Sequence, residues 1–139
     1  MESNLTKIRV IYADTDAMGI VYHANYIRWF EHGRNELMRQ MGIVYSDLNQ
    51  LGLHLPLTTV FCRYLLPATY DDLLTVETSF DYIKRASIRF GSKIWNENRQ
   101  KLHAEGYTIH ACTNHVGKIR RMPALITGLI EKYSISKGE

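Results

Sequence analysis

One long helical period runs through this chain, and it comes early. From Ala24 to Met41, the residues Tyr26, Trp29, Phe30, Gly33, Leu37 and Met41 recur at three- and four-residue steps, and Gly42 ends the run as a C-terminal cap. Ile27, Met38 and Val44 widen the apolar stripe, so this helix is expected to be covered on more than one side. Gly33 costs about 1 kcal/mol relative to alanine inside a helix, a cost that the close approach of a neighbouring backbone would justify.

Most of the rest alternates with the two-residue period of strands. Between Lys7 and Tyr12, Ile8, Val10 and Tyr12 face one way and Lys7 and Arg9 the other. After a connecting stretch from Ser46 to Leu53, an apolar strand is expected from Leu57 to Leu65, ahead of Pro67. Leu74, Val76, Thr78, Phe80 and Tyr82 then alternate with Thr75, Glu77, Ser79 and Asp81, the clearest strand in the chain. Ile88, Phe90, Ser92 and Ile94 mark the next, closed by an Asn96-Glu97-Asn98 turn. Leu102 to Asn114 predicts a long strand that Val116-Gly117 turns into a short final one. Pro123 suits the first turn of a closing helix with Leu125, Ile126, Leu129, Ile130 and Tyr133 on one face.

Short turns force antiparallel neighbours. One long helix cannot fill two faces of a large sheet, so the sheet is expected to curl around it, an α+β fold. No repeat, linker or low-complexity segment interrupts residues 1–139, which read as one domain.

Composition narrows the function. With 45% hydrophobic and 22% charged residues the chain is ordinary globular protein. Its apolar runs are too short for a transmembrane helix, and Met1-Glu2-Ser3-Asn4 lacks the pattern of a signal peptide. Cys62 and Cys112 make no disulfide framework or zinc spacing, so a cytoplasmic location is expected. The net charge of +3 does not announce a nucleic-acid binder, and no stacking motif interleaves the basic residues. Lys84-Arg85 and Lys118-Ile119-Arg120-Arg121 are either solvated surface or a local anion site.

The chemistry concentrates in YADTDAMGIVYHANYIRWFEHGR, from Tyr12 to Arg34. Asp14 and Asp16 sit in a turn carrying Gly19, and the long helix begins near His23. A helix start offers unpaired N–H groups and about half a positive charge, which stabilises an oxyanion. A carboxylate nearby attacks a carbonyl or deprotonates a water. The alternatives are that either aspartate caps the turn, or that Asp14, Asp16 and His23 hold a metal. Tyr22, Tyr26 and Trp29 read as core aromatics, and His32, His54, His103, His110 and His115 as surface or satisfied core residues.

This segment resembles the signature of the hot-dog-fold acyl-CoA thioesterases, of which 4-hydroxybenzoyl-CoA thioesterase and the thioesterase associated with the Tol–Pal system are the nearest groups. The resemblance continues through LPL at Leu55–Leu57, YLLPATYDDLLTVET from Tyr64 to Thr78 and GKIRRMP from Gly117 to Pro123. It implies an antiparallel sheet wrapped around the central helix and an acyl-CoA thioester hydrolase needing no cofactor or metal. Asp16 would be the catalytic carboxylate, as nucleophile or general base, and Asp14 would hold the loop. The His23 backbone N–H would polarise the thioester carbonyl, with the His23 side chain either a general acid or only a cap. Lys84, Arg85 and Arg120 would bind the nucleotide of coenzyme A. His23 agrees with the Tol–Pal-associated group, which favours a small or fatty acyl group over an aromatic one. A homodimer or homotetramer with sites at the dimer interface is implied. Two competing readings remain: a dehydratase of the same fold, and a non-catalytic module binding acyl-CoA or acyl carrier protein.

Overall fold

The computed structural model describes residues 3–138. Five strands form one antiparallel sheet: β1 (Ser3–Arg9), β2 (Leu57–Tyr64), β3 (Leu73–Ile83), β4 (Ser87–Asn96) and β5 (Leu102–Ala111), in the order β1-β3-β4-β5-β2. Helix α1 (Ala24–Gln40) lies against the sheet's inner face, so the α+β fold with a wrapped central helix is as expected.

The burial of α1 explains the wrapping. Tyr26, Trp29 and Phe30 on its first half pack with Val10, Leu74, Val76, Ile94 and Ala104. Leu37 and Met38 on its second half, with Met41 just past its end, pack with Phe80, Ile83, Ile88, Phe90 and Cys112. Gly33 sits where the two halves meet. A β-carbon there would fall 2.9 Å from Val76 Cγ1 and against the Thr78 hydroxyl, so the glycine lets helix and sheet approach.

Four expectations are corrected. The first strand ends at Arg9 rather than Tyr12, because the Asp14 carboxylate captures the Ile11 N–H at 3.0 Å and starts a 3-10 turn, Tyr12–Asp14, that leaves Tyr12 80% exposed. The connecting stretch holds a short helix, α2 (Tyr45–Gln50), whose start is capped when Asp47 accepts the Val44 N–H at 3.0 Å. The last strand stops at Ala111, and beyond it Thr113 makes only single bridges to His54 and Ile119. The closing helix is two pieces, α3 (Ala124–Thr127) and α4 (Leu129–Lys132), broken at Gly128.

β2 is an edge strand with an unusual surface. Leu57, Val60, Phe61 and Tyr64 are each 42–50% exposed, and among the described residues the strand pairs only with β5. A row of apolar side chains beside unpaired backbone groups is a surface that invites a second strand.

Candidate functional site

The loop between β1 and α1 is tied down by Asp14. This carboxylate is 5% exposed and accepts from Ile11 N and from Arg28 Nη2, the latter an ion pair at 2.5 Å. The Asp14 carbonyl accepts from Tyr22 N and Asn25 Nδ2, both at 2.8 Å. Asp14 therefore staples the loop to the first turns of α1.

Asp16 sits differently. Thr15 and Val21 bridge across a small hairpin, Asp16 N donates to Ile20 O at 2.9 Å, and Gly19 turns the chain at φ +81°. Asp16 Oδ1 accepts the Met18 N–H at 2.8 Å. Turn capping thus holds for one carboxylate oxygen, while Oδ2 has no donor among the described residues. Asp14 and Asp16 share no partner, and among the described residues no group of three or more His, Cys, Asp or Glu is placed to hold a metal ion.

The return arm of the hairpin runs into the start of α1. His23 occupies the N-cap position with helical backbone angles, and its side chain makes no capping hydrogen bond. No acceptor among the described residues takes its N–H, as expected at a helix start. Its carbonyl accepts from the Tyr64 hydroxyl at 3.0 Å. Partial burial, then the neighbouring Cys62 thiol, push the Tyr64 pKa up to about 12, so the phenol stays a donor at neutral pH. Ile20, Val21, His23, Tyr26, Tyr64 and Pro67 line an open, mainly apolar cleft of about 300 Å³ here. Tyr26 and Trp29 are core residues as expected, although Tyr26 also edges this cleft, whereas Tyr22 is 46% exposed.

The basic residues gather elsewhere. Met122 N donates to Arg85 O, Cys112 N to Ala86 O and Arg120 N to Cys112 O, which brings Lys84, Arg85 and Arg120 together around one end of the sheet. Lys84 Nζ lies 4.6 Å from the Tyr82 ring centre, and Arg85 and Arg120 are exposed. That end surrounds the C-terminal half of α1, while Asp16 and His23 stand at its start. From Leu74 to Ile83 the sheet spans roughly 30 Å. Within one chain, the acidic loop and the basic cluster do not meet.

Sequence reasoning overlooked a second polar cluster. Arg34 contacts His110, 76 residues away, and a Tyr45–His54–His115 chain links α2 to the loop after β5. The signal for Arg34 was its place on the apolar stripe of α1, one turn from Met38 and two from Ile27. Nothing local marked its partner.

Comparison with known proteins is consistent across three kinds of likeness. Residues 10–128 match the model of the thioesterase-like superfamily. The acyl-CoA thioesterase YbgC of Haemophilus influenzae is 34% identical over 114 residues, 81% of this chain and 82% of that one. The acyl-CoA thioester hydrolase YbgC of Escherichia coli O6:H1 is 30% identical over 120 residues, 86% of this chain and 89% of that one. In structure, the DHNA-CoA thioesterase from Staphylococcus aureus superposes with a TM-score of 0.86 at 30% identity, covering 96% of this chain and 90% of that one.

Proposed function

The chain belongs to the thioesterase-like superfamily, and on that premise we propose that it hydrolyses acyl-coenzyme A to a free acid and coenzyme A, with residues 1–139 as one catalytic domain. The observation that carries this reading is the hairpin that joins Asp16, with one free carboxylate oxygen, to the unpaired N–H of His23 beside an apolar cleft. The thioester carbonyl oxygen accepts from the His23 N–H and draws on the helix dipole. Asp16 attacks the carbonyl carbon, or takes a proton from the water that does. The carbon–sulfur bond breaks, and the coenzyme A thiolate leaves with a proton. Water supplies the oxygen and hydrogen that complete the acid and the thiol. A free His23 imidazole at the same helix start is available to deliver that proton.

The phosphates of coenzyme A require a second subunit. Two β2 edges pairing antiparallel about a two-fold axis set the Leu57 end of one strand beside the Tyr64 end of the other. The Leu57 end adjoins the basic cluster through Pro56, Ala111 and Cys112, and the Tyr64 end adjoins His23. The partner subunit's Lys84, Arg85 and Arg120 then approach this subunit's cleft. The acyl group we favour is short or fatty, to match the apolar walls of that cleft. A thioester on an acyl carrier protein presents the same reacting group. Among the described residues no helix is long and apolar enough to cross a membrane.

The experiment is free-thiol release from acyl-CoAs of increasing chain length and from an aromatic acyl-CoA. Turnover that disappears in Asp16→Asn supports the proposal. Binding without turnover replaces it with the binding-module reading.

A further inference from the structure

Arg34 is a charged group without an ion-pair partner among the described residues. It stands on α1 about three turns beyond His23, roughly 16 Å along the axis. The guanidinium is half-buried, with Nη1 3.0 Å from His110 Nε2 and its centre 5.9 Å from the Phe90 ring centre. Among the described residues no carboxylate oxygen lies within ion-pair distance of it. Glu31, one turn earlier on the helix, is exposed and lines the same cleft, where its charge favours that of Arg34 without forming an ion pair.

The histidine does not supply the missing charge. A guanidinium only donates, so His110 Nε2 is the acceptor and the imidazole proton sits on Nδ1. From there it donates to Leu55 O at 3.0 Å, while the Thr108 hydroxyl also reaches Nε2 at 3.0 Å. The ring is 2% exposed, and burial together with the Arg34 charge holds its pKa down to about 4. His110 is therefore a neutral acceptor of fixed tautomer. It occupies one donor of Arg34 and leaves the others facing a cleft.

That cleft measures about 310 Å³, and Met38, Ile43, Leu48, Leu55 and Phe90 form its apolar wall. The volume suits a small molecule. The exposed side chains of Glu31, Asn35, Arg39 and Tyr45 also line it, and Arg39 is paired with Glu36, so Arg34 is the cation left to select an anion with an apolar body. Planar bidentate pairing favours a carboxylate. We propose that the Arg34 cleft is a binding site for a small organic carboxylate, about three turns along α1 from His23 of the same subunit. The guanidinium holds the carboxylate, and the Leu48–Phe90 wall holds the aliphatic or aromatic body. The geometry stands without any catalytic assignment. That such an acid is also the product class of the enzyme rests on the function proposed above, and makes the cleft a place where product, or the far carboxylate of an acyl chain, is sensed.

The test is an NMR titration of isotope-labelled, full-length protein with sodium hexanoate and sodium benzoate, and with hexanamide as the uncharged control. Saturating shifts of the His110 ring and Leu48 methyl resonances are expected with the acids and not with the amide. Arg34→Met should weaken the acid about tenfold or more, with Arg34→Lys between the two. The same titration in Asp16→Asn should be unchanged, so a failed catalytic assignment leaves it readable. A thioester carrying a terminal carboxylate, compared with its methyl ester, separates an acyl chain reaching Arg34 from the free acid. Equal shifts with hexanamide, no saturation at His110, or shifts confined to His23 and Tyr64 would each overturn the site, and these wild-type readings hold even if an Arg34 variant misfolds.

Discussion

Arg28 on the first turns of α1 grips Asp14 at 2.5 Å, and this contact gives the two loop acids different surroundings. Asp14 is buried and fully engaged, whereas Asp16 is partly exposed with one oxygen free. One carboxylate is spent on holding the loop, and the other keeps an oxygen available.

Asp16→Asn should therefore lower the turnover number by about a thousandfold or more, since the amide neither attacks nor takes a proton. Asp14→Asn should cost about tenfold, and Arg28→Gln a similar amount, because both loosen the same staple. Steady-state kinetics of the three variants checks this. Reversed effects for Asp14 and Asp16 would move the catalytic assignment to Asp14.

The exposed edge of β2 predicts association. The wild-type protein should be at least a dimer by light scattering at micromolar concentration. Val60→Lys places a charge on an edge position that is 42% exposed, and should yield a folded monomer with little activity. A dimer that survives this change would put the interface on another surface.

The basic cluster predicts a split between binding and turnover. An exposed arginine–phosphate pair contributes about 1 kcal/mol equally to ground and transition states, so Arg85→Ala and Arg120→Ala should each raise KM about five- to tenfold with kcat nearly unchanged. Acyl-pantetheine, which lacks the nucleotide, should be indifferent to both, and added salt should mimic them. Mixed dimers decide the geometry. A dimer of one Asp16→Asn subunit and one Arg120→Ala subunit keeps one intact site if the cations act across the interface, and should recover wild-type KM at half the activity. Recovery of activity only at the raised KM would show that the cations serve their own subunit.

The burial of His110, with the Arg34 charge beside it, predicts a pH dependence of stability. The unfolded imidazole titrates near 6.5 and the folded one near 4, so between these values the unfolded chain binds more protons. Stability should be full above about pH 6.5 and fall as the pH drops towards 4, by up to about 3 kcal/mol. Urea unfolding at fixed protein concentration, at pH 7.5 and 4.5, measures it. His110→Asn should remove about 2 kcal/mol of the difference between the two pH values, and an unchanged difference would assign the acid sensitivity to other groups.

Local periodicity determined much of this protein before any fold was considered. The apolar stripe of α1, the alternation of β3 and the short turns around β4 report on single elements, and the element order left a wrapped sheet as the solution. The segment from Tyr12 to Arg34 likewise carried the acids and the helix start in one stretch of chain, so that half of the candidate site was legible. Tertiary structure decided the rest. That Asp14 is spent on Arg28, and that Arg34 meets His110, depend on side chains converging from separate elements. The strand order β1-β3-β4-β5-β2 leaves β2 exposed and sets the basic cluster at the far end of the sheet from Asp16, because strand pairing is a long-range choice of partner and register. A two-residue period is the same for an edge strand as for a central one, and only the neighbours tell them apart.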